Sequence, residues 1–200
     1  MLGCSKSMWP PRLVTVPGLH GSEAGHWQTW LERQFARSVR VTQDDWDAPH
    51  VAGWAQRVRE TLDEARGPLV LAAHSFGCLA TAHALAGGAY AGQVAGVLFV
   101  APASPEKFAY AGAFQARKLG VQSIVVGSET DPWMPLADAR WLAQHLGSAF
   151  VNLGDVGHIN VASGFGPWPR AKHFVDTLIR CAAPLRFSEE PQQAGRHAVA

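Results

Sequence analysis

Six short apolar runs punctuate the chain, at residues 13–16, 39–42, 69–73, 94–101, 123–127 and 149–153. They are mostly non-alternating, as expected of strands buried on both faces of a parallel sheet. The segments between them carry helical spacing. Residues 51–65 place Val51, Trp54, Val58 and Leu62 on one face, and residues 75–86, 136–146 and 170–181 complete the set. Ser22 is a candidate cap for a helix running through Trp27, Trp30, Leu31 and Phe35. Strand and helix alternate, which predicts a doubly wound α/β domain with right-handed crossovers. It is expected over residues 12–182. The polar, aperiodic tail at 183–200 is expected to be disordered.

Composition narrows the picture. A chain of 200 residues, 48% of them hydrophobic, suits a single domain with a full core. A formal net charge of +1 gives no electrostatic footprint for nucleic acid or an anionic membrane. No stretch approaches the roughly 20 apolar residues of a membrane span. The start, MLGCSKSMWPPRL, lacks the apolar region of a signal peptide, and nothing apolar precedes its lipoprotein-like "LGC". Cys4, Cys78 and Cys181 are far apart and without metal-ligand spacing, which suits a reducing compartment and no structural metal. A cytoplasmic location is expected.

The chemistry concentrates past the strand ends, where active residues of such sheets gather. Ser75 follows the third run in Ala73-His74-Ser75-Phe76-Gly77, a small-x-Ser-x-Gly turn close to the nucleophile elbow G-x-S-x-G. An ordinary helix N-cap would also explain a serine there. Asp131 follows the fifth run in "SETDPWMP", and His158 follows the sixth in "GDVGHIN". A serine hydroxyl needs a histidine to take its proton, and the histidine needs a carboxylate to fix its tautomer. The order Ser…Asp…His, each member following a strand, is that of α/β-hydrolases. Asp155 is a rival acid, but it shares the histidine's own loop. His74 is expected to point away from Ser75 as a packed elbow residue, and His83 belongs to the following helix.

An oxyanion hole would take one backbone N–H from Phe76 and another from "VPGLHGSEAGHW", with Leu19 favoured and His20 second. The sequence has eight tryptophans. Trp27, Trp133 and Trp168 lie near the catalytic loops and, with His20, are candidates for the substrate pocket; packing is the alternative. Trp30, Trp54 and Trp141 at helical positions are expected in the core.

The segments "PGLHGSEAGHWQTWL", "AHSFGC", "SETDPWMP" and "GDVGHINVASGFGPWP" resemble the small serine hydrolases of the retinoblastoma-binding protein nine and YdeN type. The resemblance runs from about residue 13 to 180. It implies a minimal, lidless α/β-hydrolase, a triad at Ser75, Asp131 and His158, and esterase-like activity. The short connection from Pro102 to Gly120 agrees, leaving no room for an inserted cap domain. The expected reaction is cleavage of a small ester, thioester or activated amide without cofactor or metal. An acyltransferase of the same fold, or an idle binding module, are the alternatives. No protein partner is legible, and the absence of G-x-G-x-x-G after the first strand excludes a dinucleotide site.

Overall fold

The computed structural model describes residues 10–88, 90–108 and 117–182. Six strands, β1 (Arg12–Val16), β2 (Ser38–Arg40), β3 (Leu69–His74), β4 (Val94–Val100), β5 (Gln122–Gly127) and β6 (Ala149–Asn152), form one sheet. Every neighbouring pair is parallel, in the order β2-β1-β3-β4-β5-β6. Among the described residues four α-helices connect strands, α1 (Trp27–Glu32), α2 (Val51–Glu64), α3 (Phe76–Leu85) and α4 (Leu136–Leu146), and α5 (Pro169–Cys181) follows β6.

Alternate residues of the central strands feed two cores. Val14, Val16, Leu69, Leu71, Val97, Phe99 and Val125 pack under α2, α3 and α4. Leu13, Val70, Leu98, Val100 and Val126 pack under α1 and α5. With both faces covered, β3 and β4 have no exposed residue, which is why they read as continuous apolar runs. Helix α3 is apolar almost all round and correspondingly buried. Helix α5 starts with Pro169 at its first turn, where a missing N–H costs nothing.

The chain runs from β1 outward to β2 and then returns to place β3 on the other side of β1. The strand order therefore reverses between β1 and β3, and a crevice opens past their carboxyl ends.

Three local expectations change. Ser22 does not cap α1. The ring of His26 does so, while the Ser22 hydroxyl donates to Gln28 Oε1 at 2.6 Å. Helix α1 ends at Glu32, so Phe35 lies beyond it. Trp141 is not core: it is about half exposed and stacks on His145, because α4 turns that face to solvent. Cys78 and Cys181 are free thiols. The expected tail at 183–200, Cys4 and much of the 102–120 connection fall outside the described residues.

Candidate active site

The turn after β3 is the tightest point of the crevice. Ser75 adopts φ 53° and ψ −124°, outside the conformations that L-residues favour, and its side chain makes no capping bond to α3. The N-cap explanation therefore fails, and the strained serine projects where a nucleophile would. Small neighbours make the turn possible. A Cβ on Gly77 would sit 2.4 Å from the carbonyl oxygens of both Val16 and Pro17, and one on Gly18 only 2.7 Å from Ser75 Cβ. The loop after β1 thus lies directly on the serine.

His158 and Asp131 meet Ser75 from the loops after β6 and β5. His158 Nδ1 lies 2.8 Å from Asp131 Oδ1, and Nε2 lies 2.9 Å from Ser75 Oγ. With Nδ1–H donated to the carboxylate, Nε2 accepts from the serine hydroxyl. Asp131 is almost fully enclosed, and its Oδ1 also accepts the Trp133 amide at 2.9 Å. Asp155 is engaged elsewhere: Oδ1 accepts from Thr130 Oγ1 at 2.6 Å, and Thr130 Oγ1 accepts the Gly157 amide. It braces the β6 loop against the β5 loop, leaving the imidazole to Asp131.

Two further histidines stand behind this chain of groups. His74 is buried, with Nε2–H donated to the His158 carbonyl at 3.0 Å. It supports the backbone of His158, whose next residue, Ile159, is itself held at φ 51°. Burial holds His74 well below the ordinary histidine pKa, with lesser contributions from His158 and His26. His26 is lowered to about 4, chiefly by burial and then by the charge of Arg40. Both are neutral at neutral pH. Burial likewise pushes the Cys78 thiol far up, so this cysteine is no competing nucleophile.

The geometry can now be set beside known proteins. The sequence profile described as serine hydrolase matches residues 13–177. A YdeN-like hydrolase from Pectobacterium atrosepticum is 37% identical, with a TM-score of 0.76 over 84% of this chain and 91% of that one. The chain belongs to the serine hydrolase family. The ydeN gene product of B. subtilis, 19% identical, shares the fold at a TM-score of 0.72 over 85% of this chain and 99% of its own. So does a carboxylesterase from Bacillus cereus, 16% identical, at 0.58 over 88% and 90%. No curated protein matches the sequence.

In this serine hydrolase a groove of about 260 Å³ opens onto Ser75. Leu19, His20, Gly21, Glu23 and His26 line it from the β1–α1 loop, Phe108 and Trp133 from across the crevice, and His74, His158 and Asn160 complete it. Phe108 and Trp133 stack at 5.8 Å and 11°, and Phe108 also meets Phe76 edge-on. Of the anticipated pocket residues, His20 and Trp133 line the groove. Trp27 and Trp168 do not. Trp27 is fully buried and Trp168 nearly so, packed edge-to-face at 5.5 Å in the core beneath α1 and α5. A larger concavity of about 430 Å³ lies at the amino ends of β4 and β5, and neither Ser75 nor His158 lines it.

The two anticipated oxyanion positions part here. The His20 amide donates to the Trp46 carbonyl at 3.0 Å and is therefore spent. The Leu19 amide has no acceptor among the described residues, and Phe76 opens α3, where the first amides lack intrahelical partners.

Sequence reading missed Gln28. It is wholly buried, and its Nε2 donates to Val16 O at 3.1 Å and Ala72 O at 2.9 Å, while its Oε1 accepts from Ser22. It ties the carboxyl ends of β1 and β3 to each other and to the loop between β1 and α1. Its only sequence signal was an amide in an otherwise apolar stretch, "HWQTWL". Among the described residues no cluster of three or more His, Cys, Asp or Glu side chains could hold a metal, and no helix is long and apolar enough to cross a membrane.

Proposed function

We propose that this protein is a serine esterase that cleaves small carboxylic esters, thioesters or activated amides through an acyl-enzyme. The observation that carries this reading is the continuous chain from Ser75 Oγ through His158 to Asp131, at 2.9 and 2.8 Å. In the proposed mechanism Ser75 Oγ attacks the substrate carbonyl while its proton passes to His158 Nε2. Asp131 holds the imidazole in the accepting tautomer and stabilises the imidazolium. The developing alkoxide is received by the Leu19 and Phe76 amides. His158 then returns the proton to the departing alcohol, thiol or amine. Water activated by the same imidazole attacks the acyl-enzyme and regenerates the serine.

Every step uses side chains and amides of this chain, so the reading calls for no cofactor. The name of the Bacillus cereus carboxylesterase, a likeness in fold, lends support to ester substrates. A groove of about 260 Å³ suits a short acyl group better than an extended lipid. The test is a chain-length series of p-nitrophenyl esters with wild-type protein and Ser75→Ala. Turnover should peak at short chains and fall by about 10⁴-fold or more in the variant. Wild-type turnover in Ser75→Ala would end the reading, and a rate that climbs with long, aggregated esters would replace the open groove with a lipase site.

A further inference from the structure

The groove has two unlike walls. Trp133 and Phe108 form an apolar one, and the β1–α1 loop forms a polar one that includes Glu23 and His26. His26 has a task there that the proposed mechanism does not use. Its Nδ1 accepts the Gln28 amide at 3.2 Å, which caps α1. A neutral ring whose Nδ1 accepts must carry its proton on Nε2. The residue is only 2% exposed, yet it lines the groove; among the described residues Nε2 has no oxygen or nitrogen partner and is not one of the enclosed unpaired polar atoms, so this donor opens into the groove. Its ring neighbours are Trp27 at 5.5 Å and His74 at 4.9 Å, whose faces are poor acceptors. A donor fixed in this tautomer on a groove wall is met by water in the free enzyme and can exchange it for an acceptor on a ligand.

The charge around this donor selects among acceptors. Burial and Arg40 keep His26 uncharged at neutral pH, so it offers an N–H without a positive charge. Glu23, on the same wall, is the one acidic side chain, and no lysine or arginine joins it, among the described residues lining the groove. Glu23 disfavours a carboxylate arm, and the Arg40 guanidinium felt at His26 is already paired with Glu32, whereas a neutral oxygen meets no repulsion.

We propose that His26 is a substrate-binding residue that donates Nε2–H to an uncharged acceptor, an ether, hydroxyl or carbonyl oxygen, on the substrate arm lying away from Trp133. The inference rests on the reading of Ser75 as nucleophile and names a substrate class for that same groove: short esters carrying a neutral acceptor one or two atoms from the scissile group.

Two isosteric ester pairs test it, each rate divided by the ester's own alkaline hydrolysis rate. p-Nitrophenyl methoxyacetate against butyrate probes the acyl arm, and 2-methoxyethyl against butyl acetate probes the alcohol arm. In one pair wild-type kcat/KM should favour the ether by about 10-fold, the scale of one hydrogen bond. His26→Ser keeps an N-cap oxygen but has no ring donor, and should bring that ratio near one. His26→Gln, whose amide N–H₂ reaches about as far as Nε2, should restore part of it. Because each ratio comes from one preparation, a change in the folded fraction cannot imitate the result. Flat ratios in both pairs for wild-type protein, or a preference that survives in His26→Ser, would overturn the proposal while leaving Ser75 in place. Absence of turnover and of fluorophosphonate labelling in wild-type protein would overturn both readings together.

Discussion

Replacing Gln28 by leucine should damage the fold and the chemistry together. Leucine approximates the volume of glutamine but removes three hydrogen bonds, at 3.1, 2.9 and 2.6 Å, all within a region closed to solvent. It leaves the Val16 and Ala72 carbonyls and the Ser22 hydroxyl short of a partner. Each buried group so stranded costs about 1–3 kcal/mol. The carbonyls' second lone pairs and some relaxation place the sum at roughly 3–6 kcal/mol. Against a typical total of about 5–15 kcal/mol, that is a large loss. The catalytic effect follows from position, since the two carbonyls lie at the carboxyl ends of the strands that lead to Leu19 and Phe76. Releasing them should widen the space between those amides and lower kcat more than it raises KM. The assay is urea denaturation alongside turnover corrected to the folded, fluorophosphonate-titrated fraction. Ser22→Ala, which removes only the 2.6 Å bond, should give a smaller loss of about 1 kcal/mol with the same kinetic pattern. A Gln28→Leu protein within 1 kcal/mol of wild type, with unchanged kcat per active site, would refute this account of the clamp.

Other substitutions separate neighbouring roles. Asp131→Asn should cut kcat/KM by about 10⁴-fold through the wrong imidazole tautomer, while Asp155→Asn, which loses only the Thr130 contact, should cost less than about 10-fold; the reverse ranking would reassign the acid. Gly18→Ala would set a methyl 2.7 Å from Ser75 Cβ, so turnover should fall by about 100-fold with at most about 1–3 kcal/mol of destabilisation. Unchanged turnover would show that the loop yields freely. The folded pKa of His26, about 4, lies below its unfolded value near 6.5, so the folded state binds fewer protons between these limits. Stability should be complete above about pH 6.5 and decline toward pH 4, by about 3 kcal/mol from His26, with His74 acting in the same direction. Urea midpoints at several pH values should show a shallower decline in His26→Ser, and parallel curves would contradict the assignment.

What could be read in the sequence was whatever depends on local order. The central strands were legible because both faces of the sheet are covered there, so the runs of β3 and β4 are buried throughout, whereas the edge strands β2 and β6 are partly exposed. Ser75, Asp131 and His158 stood out because each lies in the turn or loop past the carboxyl end of a strand. Side-chain direction was not. Trp27 and Trp168 sit beside site loops in sequence, yet α1 and α5 turn them inward, where they pack on one another. Trp141 has core spacing but lies on the outer face of α4. His26 and Gln28 act through partners on other elements or through a groove wall, and no spacing rule encodes a contact such as Gln28 to Ala72, 44 residues away. The same holds for Phe108, which reaches the groove by stacking on Trp133 from a different connection.

The central claim is that Ser75 Oγ is the nucleophile activated by His158. The most direct measurement is to treat the folded protein with a small fluorophosphonate, digest it, and locate the adduct by peptide mass mapping. The account predicts one adduct per chain, carried by the peptide containing Ser75. Its formation should be slowed by several orders of magnitude in His158→Ala and absent from heat-unfolded protein. An adduct on another residue, or equal labelling of Ser75 with and without His158, would contradict it.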